Sequence, residues 1–231
     1  YQRALKNFSM AYNISPQDPN LLVEMAPLSV QFDGQFSQTQ SLLERMLMKN
    51  RQKTLSKVAR NVIGLSYSYR EQYGEALASY DQALRFDQDF LPSLLNKAFV
   101  LIKLRKLDQA VELMSRTVAD HPNEAMAHYM YIRALFEKGL GNKDPAALKE
   151  VLSVSDQFAQ RFSDFRQEVL FLIANVHAQL GATPEEMRQL VTQFLQVDIE
   201  LTKLHVHDTL IDFQSFNWLD YFQYCKKLQS T

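Results

Sequence analysis

The sequence predicts an all-α solenoid, built from helical hairpins that stack one after another. Three observations carry this. First, a pattern over 57–90 recurs over 91–124: the small residue that opens each second helix moves from Ala76 to Ala110, a step of 34 residues. Such a fixed period marks stacked helical hairpins. Second, small residues alternate with large apolar ones in both copies. Gly64, Tyr67, Tyr73, Ala76, Tyr80 and Ala83 make up the first copy, and Ala98, Leu101, Leu107, Ala110, Met114 and Pro122 fall at matching places in the second. Third, only 6 Gly and 7 Pro in 231 residues argue against a turn-rich β protein.

The spacing has a packing reason. Two helices of a hairpin approach closely only where a Gly or Ala leaves room, and larger residues fill the gap to the next hairpin. On these residues the chain resembles the tetratricopeptide repeat family, whose motif places Trp/Leu, Gly/Ala and Tyr on the first helix and Ala, Phe/Tyr, Ala and Pro on the second. The resemblance implies a right-handed α-α superhelix over residues 1–200, with about five hairpins, followed by a C-terminal capping helix over 201–231.

Taken in order, Tyr1, Ala4, Phe8, Ala11 and Pro16 reproduce the second-helix half of the motif, so a longer chain is expected N-terminal to Tyr1. The stretch from Pro16 to Asn20 reads as a turn. The next hairpin pairs 20–32 with 36–50 across Asp33-Gly34, and Pro27 should kink its first helix. After the two strong copies, a fourth repeat begins near Ala125, with Tyr131 and Leu135 on its packing stripe and an insertion from Gly139 to Pro145. Asp144 as N-cap with Pro145 at the first helical position restarts the chain. A fifth hairpin has a first helix from about Gln167 to Leu180, stopped at Gly181. Its second helix opens on a Thr183/Glu186 capping box and runs through Met187, Leu190, Val191, Phe194 and Leu195. Residues 208–228 form an amphipathic helix with Phe216, Leu219, Phe222, Cys225 and Leu228 on one stripe. It reads either as a cap over the last apolar face or as an aromatic anchor for another protein through Trp218, Tyr221 and Tyr224.

Composition excludes several classes. A formal net charge of −1 creates no global field for nucleic acid or anionic membrane. The single Cys225 rules out an intramolecular disulfide and leaves the compartment open, with the cytoplasm slightly favoured over the periplasm. No apolar run approaches the length of a membrane span. No phosphate-cradling loop, nucleophile elbow or paired-carboxylate motif is present, so no catalytic residue, metal or cofactor is expected. The His205-Val-His207-Asp208 cluster could chelate only on extended backbone, since on a helix two residues apart point about 200° from one another. His177 reads as a core histidine at the motif's packing Tyr, and His121 and His128 lie near a turn without a partner pattern.

Charge is distributed unevenly. Arg45, Lys49, Arg51, Lys53, Lys57, Arg60 and Arg70 form a run without an acid, while Glu185, Glu186, Asp198, Glu200, Asp208, Asp212 and Asp220 dominate the end of the chain. A solvated face is one reading. A basic patch for an acidic peptide, or head-to-tail attraction between molecules, is the other. Nucleic acid is disfavoured, because aromatic residues are not interleaved with the basic run.

What the family resemblance implies about function is a concave groove lined by first helices. By motif position the groove residues are Asn61, Leu65, Ser68 and Tyr69, then Leu95, Asn96, Phe99, Ile102 and Lys103, then Tyr129, Met130, Arg133 and Phe136. The expected role is a non-catalytic scaffold that holds a peptide or partner helix. Some family members grip a C-terminal carboxylate with Lys and Asn. Here Asn96 matches one such position, but Leu65 and Phe99 stand where a second Asn is needed, which argues against that clamp. The alternative is a self-assembling or sensory module of a larger protein. On this reading Asn96→Ala with Arg133→Ala weakens partner binding with little loss of folding.

Overall fold

The computed structural model describes residues 36–49, 53–162 and 166–183. All elements among them are α-helices, and the chain divides into two compact units, Tyr1–Leu104 and Arg105–Thr231. The first-repeat half over 1–16, the kink at Pro27, the capping box at Thr183/Glu186, the His205/His207 pair and the 201–231 cap all lie outside the described residues, or extend beyond them.

The first unit contains α1 (Phe36–Lys49), α2 (Lys53–Tyr69), α3 (Tyr73–Phe86) and α4 (Leu91–Lys103). Each packs on the next, and α2 also touches α4. The α2–α3 hairpin is set by its glycine. A Cβ on Gly64 would stand 2.5 Å from the Tyr80 ring, so only a bare backbone lets α3 come this close. Ala76, Tyr80 and Ala83 are all fully buried on the opposing helix. The turn is tight because Glu71 adopts a left-handed φ of 58° and the Gln72 amide donates back to the Tyr67 carbonyl. Gln40 ties α1 to this hairpin, donating to the Tyr67 hydroxyl at 2.7 Å and accepting from Arg70 at 2.6 Å. Pro92 in the first turn of α4 costs no hydrogen bond, since those amides have no partner within the helix.

The second unit contains α5 (Leu107–Asp120), α6 (Ala125–Asn142), α7 (Pro145–Arg161) and α8 (Arg166–Gln179). Successive helices pack together, and α6 also meets α8. Its opening turn repeats the geometry of the first unit's: Arg105, 34 residues after Glu71, has φ 59°. The Ala110 amide donates to the Lys106 carbonyl just as Ala76 does to Gln72, and the amides of His121 and Asp87 close their helices onto Thr117 and Ala83. The 34-residue period seen in the side chains is therefore also written in the backbone.

The insertion placed at Gly139–Pro145 is largely helix, because α6 continues through Gly139 and Gly141 to Asn142. Glycine costs a helix interior about 1 kcal/mol, and here packing recovers it. Gly139 is buried against Leu148 of α7, where a Cβ would sit 2.7 Å from that side chain. The helix stops where Lys143 turns left-handed, at φ 50°. Asp144 then caps α7 as expected, accepting from the amides of Ala146 and Ala147. Asp144→Ala should lower unfolding free energy by about 1 kcal/mol in urea titration. An unchanged midpoint would show that Pro145 alone starts the helix. The stop at Gly181 also holds: it has φ +85°, and Ala182 donates back to the His177 carbonyl.

Candidate partner-binding surface

The groove residues fall into distinct groups once the helices are packed. In the first unit Asn61, Leu65, Leu95, Asn96, Phe99 and Ile102 are buried, Ser68 and Tyr69 are half-buried, and Lys103 is exposed. In the second, Tyr129, Met130 and Phe136 are buried, while Arg133 is half-buried. Most of the apolar members thus pack within their own unit. The side chains within reach of a partner are chiefly Tyr69, Lys103 and Arg133.

The buried polar members have a shared role. The Asn61 carbonyl oxygen accepts from the Ser93 hydroxyl at 3.0 Å and from the Asn96 amide at 3.2 Å. This cluster joins α2 to α4, and burying it without those bonds would be costly. Asn96 therefore supports packing, so its replacement is coupled to folding and the Asn96→Ala/Arg133→Ala pair is not a pure binding variant. Ser93 was not among the residues singled out by motif. Nothing in its spacing signals the contact, which depends on how α2 and α4 meet.

Lys103 ends α4 with its ammonium 5.2 Å from the centre of the Phe99 ring. Two periods mark the same place on the first helices, because Tyr69 and Lys103 are also 34 residues apart. The basic run that precedes this face is partly spent on structure. Lys57 pairs with Asp87 and lies over Phe90, and Arg70 bonds Gln40 and stacks on Tyr67. The Lys57 ammonium holds the Asp87 carboxyl below its usual range. Arg45 bonds the Ser41 carbonyl on its own helix.

In the second unit the remaining polar groups also serve packing. Burial, and then the neighbouring Glu150 carboxylate, raise the Tyr131 hydroxyl. Asp108 beside Lys138 raises that ammonium. His128 bonds the Pro122 carbonyl at 2.9 Å and packs on Phe162 at 5.1 Å, so it does have a partner, and it fastens the turn before α6. His177, the expected core histidine, is half-buried. Among the described residues no group of His, Cys, Asp and Glu is placed to hold a metal ion, and no helix is long and apolar enough to cross a membrane.

No curated protein matches the sequence. Solved structures do share its fold. YrrB, described as a TPR protein with an unusual peptide-binding site, is 19% identical, with a TM-score of 0.57 over 87% of this chain and 97% of its own. PilW, described as a widely conserved type IV pilus biogenesis factor, is 18% identical, with a TM-score of 0.67 over 88% of this chain and 90% of its own. MamA from Desulfovibrio magneticus RS-1 is 13% identical, with a TM-score of 0.62 over 80% and 95%. The family model described as tetratricopeptide repeat matches residues 69–135, which span the turn of the first strong copy and the whole of the second. That match, together with the repeated left-handed turns, marks residues 69–135 as tetratricopeptide repeat sequence within an all-α chain.

Proposed function

We propose that this chain is a non-catalytic scaffold that holds a peptide or a partner helix against its first helices. The observation that carries the reading is the paired hairpin geometry. Close-packed contacts such as Gly64 on Tyr80 in the first unit and Gly139 on Leu148 in the second fix first helices to second helices, so within each unit the first-helix surface is preformed. A preformed surface loses little conformational freedom on binding, which favours recognition. The peptide-binding site named for YrrB, which shares the fold, supports the same role.

The test is affinity capture with the immobilised chain, with proteins identified by mass spectrometry and Arg133→Ala run in parallel. Loss of one or more captured proteins by an Arg133→Ala chain whose melting temperature matches wild type supports the reading. The same proteins captured equally by wild type, by Arg133→Ala and by urea-unfolded chain would sink the scaffold reading.

A further inference from the structure

We propose that Met48 is a site of reversible oxidation: a hydroperoxide adds one oxygen to its thioether and a sulfoxide reductase removes it, both on the folded chain. The starting point is the pattern of burial along α1. Thr39, Leu43 and Met46 are buried at the i, i+4, i+7 spacing of one helix stripe, and α1 packs on α2. Ser37, Ser41, Arg45 and Met48 are exposed and make up another stripe. Met46 and Met48 stand two residues apart, so their side chains leave the helix about 200° from one another. Met46 is 8% exposed and Met48 81%. Two methionines in the same helical turn thus meet opposite environments.

Access decides the chemistry, because a thioether has no proton to lose and needs no neighbouring base. Its sulfur attacks one oxygen of a hydroperoxide, forming an S–O bond as the O–O bond breaks. The other oxygen leaves as water or an alcohol. Sulfur loses two electrons and the peroxide gains them. Two thiols reverse the change by joining as a disulfide while the oxygen departs as water. Met46, Met114, Met126 and Met130 are all buried, so a peroxide reaches them when the chain opens. A polar sulfoxide in their place would disrupt the core. At Met48 it replaces an apolar group that already lies in water beside serine and arginine, so packing is preserved. Met48 is also more exposed than Phe86, at 43%, and oxidation turns this surface of the first unit from apolar to polar. The same access admits the reductase, so the mark is erased without unfolding.

A timed exposure of the whole chain to dilute hydrogen peroxide, quenched with free methionine, tests this. A protease that cuts after Glu releases Met46 and Met48 in one peptide, and tandem mass spectrometry assigns the oxygen to one or the other. On the folded chain Met48 should be oxidised roughly tenfold faster than Met46, or more, and in urea the two rates should converge. The two methionine sulfoxide reductases, one for each epimer, should then return Met48 to its original mass on the folded chain with dithiothreitol as reductant. Met48→Leu given the same peroxide dose should melt as the treated wild type does. Equal rates for Met46 and Met48 on the folded chain would overturn the proposal. So would a Met48 sulfoxide that the reductases remove only after urea is added. Treated wild type melting below treated Met48→Leu would show that the sulfoxide disturbs packing, and would overturn it as well.

Discussion

Tyr80→Ala is expected to lower the unfolding free energy by about 3–5 kcal/mol, the usual cost of deleting a buried aromatic ring. Tyr80 is the largest fully buried side chain among those described, and it fills the space left by Gly64 on the facing helix. Neither neighbour can close the gap: Ala76 and Ala83 flank Tyr80 on its own helix and are themselves small and buried. Urea denaturation followed by circular dichroism reads the change directly. A loss under about 1 kcal/mol would show that the ring is not the wedge between α2 and α3.

The hydroxyl of the same residue makes a second, separable statement. It is buried with the Ser68 side chain as a polar neighbour, and burial, outweighing that neighbour, pushes its ionisation far above the ordinary tyrosine value. The folded chain therefore keeps the phenol neutral while the unfolded chain releases the proton above about pH 10. Because the folded value is the higher one, this contribution is intact at neutral pH and stability falls as pH rises through the unfolded value, by up to about 1.4 kcal/mol per pH unit. Tyr80→Phe should hold or raise stability at pH 7 and flatten that alkaline limb. An alkaline limb of equal slope in both proteins would assign it to other groups.

Gly64→Leu is the second large effect, at about 3 kcal/mol of destabilisation. Leucine is the better helix former by about 1 kcal/mol, so on propensity alone the change should stabilise. Packing decides the sign. The new Cβ would meet two Tyr80 ring carbons at 2.5 and 2.7 Å, and the ring is enclosed on all sides. Since the two residues share one space, the double variant Gly64→Leu/Tyr80→Ala should cost less than the sum of the singles by roughly 1–3 kcal/mol. Additive losses would mean that the contact is not what couples the two helices.

Much of this was legible in the sequence because close approach leaves a trace in side-chain size. Gly64, Ala76 and Tyr80 can be read as a hairpin contact before any coordinates exist, since a close helix crossing requires small residues facing a large one. Asp144 and Gly181 were legible for a similar reason, each meeting a local backbone need. The continuation of α6 through Gly139 was not legible, because a glycine between two repeats has two uses, as a helix breaker and as a thin place on a helix, and only its contact with Leu148 separates them. The groove residues were legible as positions on α2, α4 and α6, but not in their exposure. Whether Asn61 faces a ligand or Ser93 depends on the approach of a helix some thirty residues away, which no local pattern records.

The matched turns at Glu71 and Arg105 bear on how a chain like this can change its length. Each of these turns is closed by hydrogen bonds of its own backbone, so a tandem duplication in frame at the 34-residue period would carry its own turn and its own packing faces. A one-residue deletion inside α2 would instead rotate every later apolar position on that helix by about 100°. Growth or shrinkage of the array is therefore tolerated in whole modules, and small insertions are confined to the links between them.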